Sequence, residues 1–223
     1  TYAGFNTEMQ AYVARPKADK KYAAVVVIHE NRGLNAHIED VTRRVARAGY
    51  LAIAPNALSP LGGTPANEDD ARQLFTKLKP EESLQNFIKA FDYLGSRKDC
   101  NGHFGCVGFC WGGAMSNNLA VHVPALRAAV VFYGTQPPAE SVPAIKAALQ
   151  LHYAGLDERV NAGMTAYENA LKSAGISYEQ YVYEGVNHAF HNDTSTARYN
   201  EAAAKLAWQR TLAFFKKEVR GEK

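Results

Sequence analysis

A mainly parallel β-sheet covered by helices on both faces is the fold class that this sequence predicts, and three observations predict it. Runs such as Ala23 to Ile28 and Leu126 to Tyr133 are continuously apolar and rich in β-branched residues, as strands buried on both faces are. These runs alternate with stretches whose apolar residues recur at helical spacing. Several of them end in polar, glycine-containing turns, at the strand ends where open α/β sheets place their sites.

Tyr2 to Arg15 alternates Met9, Ala11 and Val13 with polar residues and reads as a short half-exposed strand, with Pro16 to Lys21 a turn. Ala23 to Ile28 is the first buried parallel strand and ends in His29-Glu30-Asn31-Arg32-Gly33. Ile38, Val41, Val45 and Ala48 follow at helical spacing, Gly49 stops that helix, and Tyr50 to Ala54 is the next strand. Pro55 to Asn67 is a loop rich in small residues. Asp69 to Leu78 and Glu81 to Leu94 are helices divided by Pro80, and Asn101-Gly102 turns into strand Phe104 to Val107. Beyond the helical run Ala114 to Val121 come strand Leu126 to Tyr133, a Pro137-Pro138 loop, and strand Leu149 to Tyr153. A helix over Asn161 to Ala174, strand Tyr178 to Tyr183 and a final helix over Ala197 to Val219 complete the chain. The last carries a stripe of Ala204, Trp208, Leu212, Phe215 and Val219.

A chain of 223 residues has ample length for one large core, so a single domain over residues 1–223 is expected. Its 25 basic and 22 acidic residues are scattered, and a net charge of +3 is too mild to point to nucleic acid or a membrane surface. Neither a membrane-spanning run nor a signal peptide is visible. The expected location is the cytoplasm, with the periplasm as the alternative if a targeting segment preceded Thr1. The three cysteines, Cys100, Cys106 and Cys110, lie within a short stretch at no metal-binding or disulfide spacing and are read as reduced. His29 and His103 have no ligand partner at usable spacing and are assigned no role. No metal and no cofactor is expected, and the chain is expected to be a monomer or a weak homo-oligomer.

Chemistry concentrates at Gly108-Phe109-Cys110-Trp111-Gly112-Gly113. Gly-x-Cys-x-Gly between a strand and a helix is the thiol form of the nucleophile elbow, a sharp turn that holds its central residue exposed and strained. Gly108 and Gly112 lack a Cβ, which lets strand and helix approach. The first helical turn supplies N–H groups and a positive dipole end that favour a thiolate at Cys110. Against this stands a tight turn around a buried thiol.

Cys110, Asp157 and His188 each follow a predicted strand, in the order nucleophile, acid, base used by the α/β-hydrolase fold. An imidazole takes the thiol proton and returns it to a leaving group, and the carboxylate orients it. Taken alone, Asp157 in its turn is more often a helix cap or solvated loop residue, and a histidine placed as His188 is usually structural; their order after successive strands favours the triad. Glu30 is expected to accept the Cys110 thiol hydrogen bond, the alternative being an ion pair with Arg32. The N–H groups of Asn31 and Trp111 are the expected oxyanion hole.

His29-Glu30-Asn31-Arg32-Gly33-Leu34-Asn35, the elbow hexapeptide, Phe132-Tyr133-Gly134, Gly155-Leu156-Asp157 and Asn187-His188-Ala189-Phe190 together resemble the dienelactone hydrolase (carboxymethylenebutenolidase) family, from about Tyr12 to Val219. The resemblance implies an α/β-hydrolase fold without a large cap, a Cys-His-Asp triad, and hydrolysis of a small ester or lactone without cofactor. It implies that Glu30 changes partners when substrate binds. It also implies that two arginines hold a substrate carboxylate. Arg72 is the candidate for the first, the alternative being a solvated helix-face residue. After His188 the chain reads Ala189-Phe190-His191-Asn192, with no arginine where the second belongs and Arg198 only further on. Asn192 offers a neutral donor there, and Tyr133 and Phe190 are candidate pocket walls or core residues. The alternatives in function are a thioesterase or peptidase with the same triad, and a non-catalytic ligand-binding protein.

Overall fold

The computed structural model describes residues 1–222, which fall into two compact units that divide between Phe104 and Gly105. In the first, β1 (Tyr2–Ala3) pairs antiparallel with β2 (Glu8–Met9). Then β3 (Ala11–Ala14) runs antiparallel to β5 (Leu51–Pro55), and β5 lies parallel to β4 (Tyr22–Ile28). The single strand expected over Tyr2 to Arg15 is therefore three short ones. The break before β3 falls at Gln10, whose N–H donates to Ser59 Oγ at 3.0 Å and whose carbonyl accepts from Asn56 N–H at 2.8 Å. Met9 is consequently buried while Val13, on the same alternation, is exposed.

All seven residues of β4 and all five of β5 are buried, which is why both read as uninterrupted apolar runs. They are joined by α1 (Ala36–Arg47), capped by Asn35, whose side chain accepts from Ile38 N–H. Its predicted apolar face, Ile38, Val41 and Val45, is buried. Next come α2 (Glu68–Phe75), capped by Asn67, and α3 (Pro80–Ser96). Pro80 belongs to α3, because a first-turn N–H has no helical partner to lose.

Strand β6 (Cys100–Phe109) leads into the second unit, followed by α4 (Trp111–His122), β7 (Leu126–Phe132) and β8 (Ala148–Ala154). The remaining elements are α5 (Glu158–Asn161), α6 (Met164–Ala174), β9 (Tyr178–Tyr183) and α7 (Glu201–Glu218). The strand order is β6-β7-β8-β9, with β7, β8 and β9 parallel. Helices α4 and α7 both pack on β7. The helix expected over Asn161 to Ala174 is two, because Asp157 caps the short α5 and the chain restarts at Gly163. The final helix begins at Glu201 rather than Ala197, since Asn200 caps it by accepting from Ala203 N–H at 3.0 Å. Its buried face is also rotated from the predicted stripe. Ala203, Ala207, Thr211 and Phe214 join Ala204 and Phe215, while Trp208 and Leu212 are only partly covered. Thr211 is tolerated inside because its hydroxyl donates to the Ala207 carbonyl at 2.9 Å.

Candidate active site

The turn from β6 into α4 has the geometry that the elbow pattern predicts. Cys110 holds φ 57° and ψ −116°, a conformation that side-chain-bearing residues seldom adopt, and caps the start of α4. Its N–H donates to the Phe132 carbonyl at the end of β7 (3.0 Å), and its own carbonyl accepts the first helical bond, from Ala114 N–H (3.1 Å). Trp111 N–H thus lies in the opening turn, ahead of that bond.

Backbone packing explains the glycines. A Cβ on Gly108 would sit 1.8 Å from the Gly112 carbonyl oxygen, and one on Gly113 would sit 2.6 Å from the Phe132 carbonyl oxygen. Across the same contact, a Cβ on Gly134 would meet the Gly113 carbonyl carbon at 2.3 Å. The helix start lies backbone to backbone on the chain leaving β7, and only hydrogen fits between.

Asp157 and His188 are brought together as expected. Asp157 follows β8 and is buried, with Oδ2 2.5 Å from His188 Nδ1. Its other oxygen accepts from Val160 N–H at 3.3 Å, so the carboxylate caps α5 and orients the imidazole at once. The His188 side chain keeps 21 % of its surface exposed, and its ring lies 4.9 Å from that of Tyr133. Three side-chain-bearing residues in the described chain have positive φ: Cys110, Tyr133 and Ala189, at 57°, 38° and 68°. They are the elbow residue, the residue after β7 and the residue after His188, so the strain of about 1–3 kcal/mol that each carries is gathered around one place.

Other expectations fare differently. Tyr133 and Phe190, expected as pocket walls or core, are 1 % and 0 % exposed and pack on each other at 5.4 Å, so they support His188 rather than face solvent. Asn192 is buried, and its side-chain oxygen accepts from the N–H and hydroxyl of Thr194 (3.0 and 2.6 Å), which makes it a turn former. Glu30, Asn31 and Arg72 belong to the first unit. Arg72 is half exposed on α2 and ion-paired with Asp69, while Arg32 pairs with Glu68. His29 is wholly buried. Its Nε2 accepts from Ala57 N–H at 3.0 Å and its Nδ1 donates to the Glu30 carbonyl at 2.7 Å, and burial pulls its pKa down to about 4. It is a structural, neutral imidazole.

The three cysteines are thiols and differ in surroundings. Burial pushes Cys106 up to about 12, which leaves it inert, whereas Cys110 is partly exposed. Sequence reasoning missed Arg159 and gave Arg198 only a loose place. Both line a cavity of about 490 Å³ with Asp157 and His188. The legible signal was that Arg159 follows Asp157 by two residues, in the short helix α5 that Asp157 caps. Among the described residues no group of His, Cys, Asp and Glu side chains is arranged to hold a metal ion, and no helix is long and apolar enough to cross a membrane.

A mainly parallel sheet carrying a strained elbow after one strand and a joined acid and imidazole after two later ones defines an α/β-hydrolase. Residues 9–219 match the dienelactone hydrolase family, and the chain belongs to it. A provisionally named carboxymethylenebutenolidase of Saccharolobus solfataricus is 31 % identical, over 97 % of this chain and 96 % of that protein. One of Salmonella typhi is 34 % identical over 93 % and 82 %. The crystal structure of a provisionally named dienelactone hydrolase from Klebsiella pneumoniae superposes with a TM-score of 0.86 at 30 % identity, covering 97 % of this chain and 98 % of that one. Membership makes the chain a carboxylic ester hydrolase acting on small esters or lactones.

Proposed function

We propose that the chain hydrolyses its ester or lactone through a covalent thioester on Cys110, with His188 as general base and acid and Asp157 as its orienting carboxylate. The observation that carries this reading is the Asp157–His188 hydrogen bond in the unit whose elbow holds Cys110 in a strained, partly exposed turn. His188 Nε2 takes the thiol proton as Sγ bonds to the substrate carbonyl carbon, and the carbonyl electron pair moves onto oxygen. Trp111 N–H, at the positive end of α4, stabilises that oxyanion. Collapse breaks the acyl–oxygen bond, and His188 protonates the departing alkoxide. Water then gives its proton to His188 and its oxygen to the acyl carbon, the C–S bond breaks, and acid and thiol are regenerated.

Family resemblance implies that Glu30 is the resting partner of the Cys110 thiol, and the place of Asn31 beside Glu30 in the chain makes its N–H the candidate second oxyanion donor. The resemblance also makes Arg72 a candidate for a substrate carboxylate, the alternative being a solvated helix-face residue, which its exposure and its ion pair with Asp69 favour. Arg159 and Arg198 make a further pair suited to an anionic substrate, because they share a cavity with His188. No cofactor enters this chemistry.

The test is hydrolysis of a neutral aryl ester, an acidic lactone and a thioester by wild type and Cys110→Ala in parallel. Loss of turnover in the variant, with acyl label trapped on the Cys110 peptide of wild type, is expected. Turnover by folded Cys110→Ala at the wild-type rate would overturn the nucleophile, and a marked preference for the thioester would move the substrate class to thioesters.

A further inference from the structure

His188 is carried by residues 184–200, a connection from β9 to α7 that contains no helix or strand. A general base must stay within about half an ångström of its productive place, and the turn hydrogen bonds of this segment, among them Asn192 N–H to the Ala189 carbonyl (3.1 Å) and Asn200 N–H to the Phe190 carbonyl (3.0 Å), are supplemented by side-chain packing. Two consecutive residues after the positive-φ Ala189 are buried, Phe190 and His191, at 0 % and 2 % exposure. Phe190 packs on Tyr183 and on Tyr133, whose ring lies 4.9 Å from that of His188.

His191 reaches the nucleophile side. Its ring is stacked on Phe109 at 5.0 Å with 26° between the planes, and Phe109 immediately precedes Cys110. It also lies 5.1 Å from Phe132, whose carbonyl accepts the Cys110 N–H, and 5.4 Å from Trp208 on α7. One flat ring, three residues beyond the base, therefore touches both side chains whose backbones fix the elbow.

We infer that His191 is a positioning residue: by wedging against Phe109 and Phe132 it sets the distance between the His188 imidazole and the Cys110 sulfur. The inference rests on the Cys110–His188 pairing proposed above and assigns that pair its spacer. Truncating the ring lets the segment settle toward the elbow or away from it. Displacement of a catalytic group by about 1 Å costs on the order of a hundredfold in rate. Substrate binding depends on other surfaces, so the loss falls on kcat.

Two readouts test this on the full chain: steady-state kinetics with the aryl ester, and the pH dependence of Cys110 alkylation by iodoacetamide followed on its own peptide. His191→Ala is expected to lower kcat by about tenfold to a hundredfold with KM within about twofold, and to move the alkylation profile to higher pH. His191→Phe, which keeps a flat ring, is expected to restore both to near wild type. Val45→Ala, in the core of α1, serves as a control for lost stability and should leave both unchanged. If His191→Ala does not fold, His191→Leu fills the volume without the plane and is read in the same way. Wild-type kcat and alkylation in the truncated variant, or an equal fall in the Val45→Ala control, would overturn the inference. Alkylation needs no substrate. A failure of the whole substrate panel would therefore count against the proposed function while the variants still decide the role of His191.

Discussion

The Cys110 N–H donates to the Phe132 carbonyl at 3.0 Å, so the elbow is tied by a backbone hydrogen bond to the very end of the neighbouring strand. The bond forms only because Gly113 and Gly134 let the two backbones touch. A side chain at either position would separate α4 from β7.

Gly134→Ala should therefore act on stability and site together. Its Cβ would fall 2.3 Å from a backbone carbon, which no rotamer change relieves. We expect a loss of about 3 kcal/mol or more, in the range of severe overpacking, measured by urea unfolding, with activity lost in the fraction that remains folded. A shift of less than about 1 kcal/mol would show that the contact gives way more easily than its geometry implies.

Asp157 has two jobs that one substitution can separate. Asp157→Asn keeps an oxygen to accept from Val160 N–H, so stability should change by less than about 1 kcal/mol. The amide supplies no charge to a protonated His188, and kcat should fall by about a thousandfold or more. Asp157→Ala should lose the same activity and the cap as well. Equal activity in Asp157→Asn and wild type would remove Asp157 from catalysis and leave it a cap.

The arginines separate by their surroundings. Arg198→Ala and Arg159→Ala should each raise KM for an acidic substrate at least about tenfold more than for a neutral ester, since a charge-assisted hydrogen bond contributes about 1.5–3 kcal/mol. Arg72, which is half exposed and paired with Asp69, should affect both substrates alike when replaced. A selective effect at Arg72 alone would instead support the carboxylate anchor that the family resemblance assigns to it.

Acid should destabilise the first unit through His29. Its pKa in the folded chain is lowered to about 4 from an unfolded value of 6.5, so the unfolded chain binds the proton first. The stabilisation is fully present above pH 6.5 and is lost as pH falls toward about 4, to a total of about 3 kcal/mol. Unfolding midpoints of wild type and His29→Gln between pH 4 and 8 should converge as pH falls. Parallel curves would show that His29 is not the group responsible.

Much of the fold was legible because burial on both faces writes itself into composition. Strands β4, β5 and β7 are nearly all apolar, and an apolar run of that length between polar turns has few other places to go. The approach of Asp157 to His188 was legible for a related reason. A parallel sheet delivers its strand ends to one edge, so two residues that follow neighbouring strands, Asp157 and His188, were expected to meet there. The glycines of the elbow were readable as a steric need, although the sequence pointed to Gly108 and Gly112, and the partnership of Gly113 with Gly134 needed the structure.

What the sequence by itself determined is local: which runs form the buried strands, which stretches are helical, and which polar side chains stand at strand ends, since these depend on neighbours a few positions away. What only the tertiary structure decided is which distant side chains share space. Arg159 and Arg198 lie 39 positions apart yet line one cavity with His188. Tyr133 and Phe190 are buried supports, and His191 stacks on the residue before Cys110. Ala189 holds a positive φ that its own side chain disfavours. Packing imposes each of these over long separations in the chain, and no local preference records it.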